Sequence, residues 1–426
     1  MKKDIHNGQK NFGILSMEIN PDTFCAATWF QVRNRQDMTK TVCCQLDWTT
    51  KDLGTEKLTP MEYMNSPKII NMRKQLSQGK KIKECSVCWR NESNGVLSLR
   101  QAVNEQLLRG GWSELYFNKK DNYETDMILI ADVKIGNTCN FACIMCNAQD
   151  SSKIYADWMA NKDSEFVEDY LKEDSMYLEK SKSTGYKTNL YRKHINDLIA
   201  NNKHILSIKM LGGEPLMDKN LLQILSDMPS SRKKKIHLQF VTNGSHNLKQ
   251  TTELLGNFKK IEYHVSLEGV GTMQEYARYG ANWSQIESHI LEQEEYMNGS
   301  IQVQHVMQAS TVCKLHELIN WVGENNIEFS VDNLFSPSYL SLQVVPNKLK
   351  PVIIKHLQNV KPFAIVQSTE YTPYSINAII DTIEKIVFNK TNFDRYKKYI
   401  NFYERDKVLP AFVDVCPEWK EYFDEV

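Results

Sequence analysis

Three cysteines within one short segment constrain this chain more than any other feature. The segment Cys139-Asn140-Phe141-Ala142-Cys143-Ile144-Met145-Cys146 leaves three and then two residues between its cysteines. Thiolates are soft ligands that favour zinc or an iron-sulfur cluster. A zinc site usually recruits a fourth protein ligand nearby, and a disulfide framework needs an even number of cysteines. Because no fourth cysteine lies nearby, the spacing favours a cluster with one iron left open to a ligand.

Charge and hydropathy narrow the class of protein. Lys plus Arg and Asp plus Glu both number 52, so no overall positive field is available for a nucleic acid, which we do not expect as an obligatory partner. The polar start MKKDIHNGQK and the absence of a run of about 20 apolar residues predict neither a signal peptide nor a membrane span. We therefore expect a cytoplasmic protein, whose ten cysteines serve as ligands, reactive thiols or buried residues rather than disulfides.

The first hundred residues contain a second group of cysteines. Residues 29–32 and 41–46 alternate as in a β-hairpin, and a CxxC pair follows a helix predicted over 60–76. Four thiolates are enough to close a site, and their spacing fits zinc and an iron-sulfur cluster equally. Adjacent residues on a strand point to opposite faces, so only one cysteine of the 43–44 pair can easily face the metal, and we favour the first. The predicted ligands are Cys25, Cys43, Cys85 and Cys88.

Strands and helices alternate regularly through the centre of the chain. A strand over 127–135 leads into the three-cysteine loop, and five further apolar strands follow it with helices between them. This order predicts an α/β fold with a parallel sheet and right-handed crossovers. The further strands are predicted at Ile205–Leu211, Ile236–Val241, Ile261–Leu267, Ile301–Val306 and Ile327–Val331.

These patterns divide the chain into three parts. Residues 1–125 form the cysteine-rich module, and 126–345 form the α/β region, with a helical insertion at about 150–203 because one crossover needs only about 10 to 15 residues. Residues 346–426 read as a helical extension. Its helices are predicted at Lys348–Val360, Tyr374–Phe388 and Phe393–Glu404.

The second strand of the α/β region ends in Gly212-Gly213-Glu214-Pro215. Two glycines at a strand end allow the backbone to approach another group closely, and the glutamate can pair with a ligand ammonium. Since the carboxyl ends of parallel strands share one edge, this motif and the three-cysteine loop are expected to meet there.

Together these two motifs resemble the radical S-adenosylmethionine (SAM) superfamily over about residues 127–335. The resemblance implies a partial (β/α)6, TIM-like barrel in which Cys139, Cys143 and Cys146 hold a [4Fe-4S] cluster. The open iron of that cluster would chelate the amino and carboxylate groups of SAM. The resemblance also implies a flavodoxin- or ferredoxin-type electron donor, and a 5′-deoxyadenosyl radical that abstracts hydrogen from a substrate carbon. The residues implied in SAM binding are Met145, Gly212, Gly213, Glu214, Pro215, Asn243, Ser266 and Glu268.

The cysteine-rich module resembles the twitch or SPASM-like auxiliary-cluster modules, although it precedes the barrel here. The resemblance rests on Cys25, the Cys43-Cys44 pair and the segment Cys85-Ser86-Val87-Cys88-Trp89-Arg90-Asn91-Glu92, with Ser98-Leu99-Arg100 after it. It implies a second [4Fe-4S] cluster in preference to zinc.

The sequence leaves the substrate open. Modification of a peptide or protein residue is the first expectation from the resemblance, and oxidation or rearrangement of a small carbohydrate- or nucleotide-derived molecule is the alternative. A non-catalytic iron-sulfur or zinc protein is a further alternative, against which the Gly-Gly-Glu motif argues. Glu268 and Asp332 are candidate proton acceptors, and Cys313 is a candidate hydrogen-atom donor. Burial as a small apolar residue is the more common role for Cys313 and for Cys416.

Overall fold

A ten-stranded sheet forms the centre of the molecule. The computed structural model describes residues 20–35, 39–46, 55–93, 97–109, 122–168, 193, 195–361, 365–367 and 373–423. The strand order is β12-β11-β10-β9-β7-β6-β5-β3-β1-β2, and a separate pair joins β4 to β8. The strands are β1 (Gln31–Asn34), β2 (Lys40–Thr41), β3 (Ile130–Lys134), β4 (Ala142–Cys143), β5 (Ser207–Leu211), β6 (His237–Thr242), β7 (Lys260–Ser266), β8 (Arg278–Tyr279), β9 (Ile301–Met307), β10 (Glu328–Asn333), β11 (Ile365–Gln367) and β12 (Pro373–Tyr374).

Each of the six strands predicted for the α/β region is present. The strands β3, β5, β6, β7, β9 and β10 lie side by side in chain order, and each pairs in parallel with the next. Right-handed crossovers between strands in this order place their helices on one face of the sheet. The mixed α/β fold, dominated by parallel strands, is therefore confirmed.

The two faces of the sheet differ in polarity because side chains alternate along each strand. In β6, Leu238, Phe240 and Thr242 are buried, whereas the residues that alternate with them, His237, Gln239 and Val241, are half-buried. The same alternation runs through β7 and β9. We call the polar face, which carries Gln239, the inner face.

The hairpin predicted in the first module exists, but it joins the main sheet. The strand β1 pairs in parallel with β3, with Arg33 opposite Asp132, and it pairs antiparallel with β2. The second strand of the hairpin is shorter than the predicted 41–46 segment. Residues 36–38 of the predicted turn lie outside the described residues. The boundary placed near residue 126 thus crosses one continuous sheet, and the division into three parts stays a prediction.

The helix predicted over 60–76 is interrupted. A helix over Pro60–Met64 begins at Thr59, whose side chain and that of Glu62 form a reciprocal capping box. Ser66 is extended, with ψ of 151°, because the residue before a proline disfavours the helical conformation. A second helix then starts at Pro67.

Helices account for most of the remaining secondary structure of the described residues. Among the described residues no helix has the length and apolar character needed to cross a membrane. The helices of the described regions include Ala27–Phe30, Pro60–Met64, Pro67–Ser77, Ser86–Ser93, Leu99–Arg109, Ser152–Ala160, Lys219–Ser226, Ser230–Lys233, Leu248–Leu255, Thr272–Ala277, Trp283–Tyr296, Leu315–Glu324, Lys350–Gln358, Ile376–Lys385, Lys390–Glu404, Phe412–Val415 and Lys420–Phe423.

The carboxyl-terminal extension contains the three predicted helices and two strands that were not predicted. The strand β11 pairs in parallel with β10, and β12 pairs antiparallel with β11. The extension is therefore not entirely helical. Nearly half of the predicted insertion at 150–203, namely residues 169–192 and 194, lies outside the described residues.

Candidate functional site

The three-cysteine loop leaves the carboxyl end of β3 and is held in place by a short strand pair. Its strand β4 places Cys143 opposite Arg278 of β8. Cys143 is buried, whereas Cys139 and Cys146 are half-buried. The Phe141 N–H donates to Cys139 Sγ at 3.4 Å. Burial raises the pKa of Cys143 to about 12 although the Arg278 cation opposes this shift, so the thiolate form needs a metal or cationic partner.

The Gly-Gly-Glu motif is bonded directly to the segment that carries the cysteines. Gly213 N–H donates to Gly136 O at 2.9 Å, and Glu214 N–H donates to Thr138 O at 2.8 Å. A Cβ atom on Gly213 would lie 2.2 Å from Thr138 O, so that position requires glycine. The φ of Gly212 is +149°, which also favours glycine. The expected meeting of the two motifs at one sheet edge is present, and the glycines allow close approach to the chain's own backbone.

The Glu214 carboxylate is bonded within the chain. It accepts hydrogen bonds from Thr242 Oγ1 at 2.8 Å, Asn243 N at 2.7 Å and Leu216 N at 3.1 Å. Burial raises the pKa of Glu214 to about 7, although these donors favour the charged form. Glu214 thus ties β5 to the end of β6, and pairing with a SAM ammonium stays a prediction. Pro215, also buried, begins the turn that follows.

Asn243 links the end of β6 to the cysteine loop. Its Nδ2 donates to Asn140 Oδ1 at 2.8 Å and lies 4.0 Å from Cys139 Sγ. Asn140 Nδ2 in turn donates to Ser245 Oγ at 2.9 Å. The structure therefore brings Asn243 to the first cysteine.

Glu268 lies inside an ion pair that the sequence did not reveal. Its carboxylate is fully buried, and Arg278 Nη2 donates to Glu268 Oε1 at 2.8 Å. The other end of the guanidinium, Nη1, lies 3.7 Å from Cys143 Sγ. Arg278 has no motif around it in the sequence, and only the strand pairing could have located it. The roles predicted for Glu268, as a SAM contact or a proton acceptor, are not tested by this arrangement.

The remaining predicted residues lie at several places. Met145 is half-buried in the cysteine loop, and Ser266 and Asp332 are half-buried near the ends of β7 and β10. Cys313 is buried, as is Cys416, whose Sγ lies 3.7 Å from Ser310 O. Burial raises the pKa of both of these thiols.

The carboxyl-terminal extension contacts the three-cysteine loop, a role that was missed on the sequence. The helix Lys390–Glu404 presents Tyr399, whose hydroxyl donates to Ile144 O. The Tyr403 hydroxyl is shared between Ala142 O at 3.3 Å and Tyr276 O at 2.8 Å. Tyrosine hydroxyls on one helix face gave no signal, because their acceptors in the three-cysteine loop lie over 250 residues away in the chain.

The four cysteines predicted in the first module line one cavity. Burial raises the pKa of each of these thiols, that of Cys25 to about 11. Cys44 is placed differently, since its thiol interacts with Arg33, Asp132 and Lys209. The cavity is lined by Cys25, Cys43, Cys85 and Cys88, together with Arg100.

Arg100 supports this cavity through a buried ion pair. Its Nε donates to Glu92 Oε1 and its Nη2 to Glu92 Oε2, both at 2.8 Å, and its Nη1 donates to Phe24 O at 2.8 Å. The Ser98 hydroxyl also donates to Glu92, at 2.6 Å. These bonds connect the segment before Cys25 with the helix that carries Cys88.

A row of polar side chains crosses the inner face. Strand register aligns Arg33, Asp132, Lys209, Gln239 and Glu262 on five neighbouring strands. Arg33 Nη1 pairs with Asp132 Oδ2 at 2.6 Å, and Gln239 Nε2 donates to Glu262 Oε2 at 2.9 Å. The face opposite the crossover helices therefore offers charged and hydrogen-bonding groups.

Comparison with known proteins gives partial structural likenesses. No protein-family model matches the sequence, and no curated protein matches it. Streptococcus suis SuiB bound to the precursor peptide SuiA is 18% identical with a TM-score of 0.30, over 48% of this chain and 38% of SuiB. The chain anSMEcpe with bound AdoMet and Cp18Cys peptide is 13% identical with a TM-score of 0.34, over 70% of this chain and 95% of that one. The present chain thus spans well under half of SuiB, and its likeness to both solved structures covers only part of its own length.

Proposed function

We propose that this chain is a radical SAM enzyme that acts at the edge formed by the three-cysteine loop and the Gly-Gly-Glu motif. The observation that carries the proposal is the pair of backbone hydrogen bonds from Gly213 and Glu214 to residues 136 and 138. They bring together, at the carboxyl ends of β3 and β5, two motifs that are far apart in the sequence. With a [4Fe-4S] cluster and SAM bound, this edge would supply a 5′-deoxyadenosyl radical that abstracts hydrogen from a substrate carbon.

The donor set at the loop fits the cluster. Cys139, Cys143 and Cys146 supply three thiols from one short loop, and thiolates are the ligands that hold iron-sulfur clusters. Three thiols without a fourth protein ligand leave one iron for SAM. We infer that Glu214, Asn243 and Pro215 shape the pocket for SAM, while Met145, Ser266 and the backbone of Gly212 and Gly213 border it.

We infer a second [4Fe-4S] cluster in the cavity lined by four cysteines. Thiols from Cys25, Cys43, Cys85 and Cys88 surround one space, whereas Cys44 interacts with Arg33 on the inner face. Four thiols could hold either a [4Fe-4S] cluster or one tetrahedral zinc ion, and the resemblance of this segment to auxiliary-cluster modules favours the cluster. Zinc remains the alternative that metal analysis would reveal.

The substrate site would lie along the inner face, below the SAM-binding edge. The half-buried polar row there supports a substrate with hydrogen-bonding groups, such as a peptide or protein segment, with a small polar molecule as the alternative. A flavodoxin- or ferredoxin-type protein would supply the electron in a cytoplasmic setting.

Anaerobic reconstitution tests both clusters. We expect about eight irons per chain, because each cluster contains four. About four irons with one equivalent of zinc would contradict the auxiliary cluster and leave the SAM site standing. Cys85→Ala should lower the iron content by about half while deoxyadenosine still forms.

Incubation of the reconstituted protein with SAM and dithionite tests the reaction. Release of 5′-deoxyadenosine is expected, and Cys143→Ala should abolish it. Cys313→Ala is the matched control, since Cys313 is buried outside both predicted cluster sites. Persistent deoxyadenosine formation in Cys143→Ala would refute the central assignment. Deuterium transfer from labelled candidate peptides into deoxyadenosine would identify the substrate.

A further inference from the structure

The guanidinium of Arg278 lies beside the middle cysteine of the loop. Arg278 is directly opposite Cys143 in the β4–β8 pair, and its Nη1 is 3.7 Å from Cys143 Sγ. The Arg278 side chain is only 11% exposed, so water screens its charge weakly.

A buried carboxylate balances this cation. Glu268 Oε1 accepts from Arg278 Nη2 at 2.8 Å, and the Glu268 side chain is 0% exposed. Its other oxygen lies 3.3 Å from His305 Nδ1 and 3.4 Å from Gln308 Nε2. Burial lowers the pKa of His305, so the imidazole is neutral and the pair consists of one cation and one anion.

The two charges of this ion pair lie one behind the other as seen from the cysteine loop. The cation lies next to the thiol, and the anion lies behind the cation. A positive group at the sulfur stabilises the more negative, reduced form of a cluster, and a negative group opposes this effect.

We propose that the Arg278–Glu268 pair sets the reduction potential of the cluster held by Cys139, Cys143 and Cys146, with Arg278 raising it and Glu268 moderating the increase. This inference rests on the proposed function, because it requires a cluster at the loop. Arg278 and Glu268 would act on electron transfer through their charges: a cluster held by the three cysteines would accept one electron from an external donor, and no bond would be made or broken.

Redox titration of the reconstituted full-length protein, followed by electron paramagnetic resonance, tests the inference. In Arg278→Gln we expect the equilibrium constant for reduction to fall about tenfold, which is about 59 mV for one electron. In Glu268→Gln we expect a shift of similar size in the opposite direction. The double variant Arg278→Gln/Glu268→Gln should lie between the two, and Arg278→Lys should retain part of the wild-type potential because it keeps the charge.

The signal of the auxiliary cluster serves as an internal reference, because its potential should not change in these variants. A second control, Lys361→Gln, removes a charge whose side chain is 81% exposed and should leave both potentials unchanged. If Arg278 only holds the loop in place, both substitutions would lower iron content without opposite shifts, and that result would overturn the inference.

The outcomes separate this inference from the proposed function. Unchanged potentials in variants that still release deoxyadenosine would refute the role of the pair and leave the enzyme assignment intact. If Arg278→Gln does not retain the cluster, Glu268→Gln decides alone, since an unchanged or lowered potential in it contradicts the inference. Wild-type protein without a cluster at the loop would overturn both.

Discussion

The two cysteine sites are built in different ways. The four-cysteine cavity is assembled from residues 25–100, and its Arg100–Glu92 ion pair joins residues only eight positions apart. The three-cysteine loop is held by Gly213, Arg278 and Tyr399, which come from three distant parts of the chain. The first site therefore depends on one local module, and the second depends on the whole fold. The four-cysteine cavity should therefore be affected only by substitutions close to it in the sequence. The three-cysteine loop should also be affected by substitutions far from it in the sequence.

Arg100→Met should have the largest effect, and the effect should be confined to the four-cysteine cavity. The substitution leaves Glu92 buried without its cation, and breaking such a pair costs about 3–5 kcal/mol. We expect loss of the auxiliary iron, about half of the total, with continued deoxyadenosine release at the other site. Iron analysis and a SAM cleavage assay measure the two effects. Loss of both clusters together would show that the effect of Arg100 is not confined to the four-cysteine cavity.

Gly213→Ala should have the next largest effect, and it should act at the three-cysteine loop instead of the four-cysteine cavity. The added methyl group would lie 2.2 Å from Thr138 O, and such overpacking costs about 3 kcal/mol. Iron should be lost from the three-cysteine loop while the auxiliary cluster remains. Gly299→Ala is the matched control, because a Cβ there meets nothing within 4 Å and only its positive φ opposes the change. Equal iron loss in both variants would argue against the backbone contact as the cause.

Glu214, which lies beside the three-cysteine loop, should make the free energy of unfolding depend on pH. The folded pKa of about 7 lies above the ordinary value of 4.5, so this group stabilises the fold at low pH and loses that contribution as pH rises toward 7. Between pH 5 and 8 the free energy of unfolding of wild type relative to Glu214→Gln should fall by roughly 2 to 3 kcal/mol. Denaturant titrations of apo protein at several pH values measure it. A flat difference would show that Glu214 stays charged throughout.

Tyr399→Phe should have the smallest effect. It removes one hydroxyl that donates to Ile144 O, and a single hydrogen bond contributes about 1 kcal/mol. We expect faster loss of iron from the three-cysteine loop on exposure to a chelator, with no change at the auxiliary site. Tyr422→Phe, outside this contact, is a suitable control. An unchanged release rate would show that the extension does not brace the loop.

The difference between the sites also explains what could be predicted from the sequence. Strands such as β7 and β9 were found because local periodicity determines them, and both cysteine sets have recognisable spacing. The partner of Cys143 could not be found this way. Arg278 has no distinctive neighbours, and it reaches the thiol only because β4 and β8 pair across 135 residues.

The same limit applies to the short strands. The prediction for 41–46 was too long because alternation of residue types does not show where a partner strand ends. The strands β11 and β12 were missed because segments of three and two residues contain too little periodicity. Pairing with β10, a tertiary contact, determines β11.

The position of β1 beside β3 has a consequence for truncation of the chain. Without the first module, β3 would present its unpaired backbone N–H and C=O groups along a strand that is largely buried in the present structure. Such an exposed edge invites pairing with other chains, whereas the present edge ends in the two-residue strand β2, which offers little backbone for pairing. We therefore expect the segment that carries β1 and β2 to protect the sheet edge from aggregation, and a chain expressed without it should self-associate.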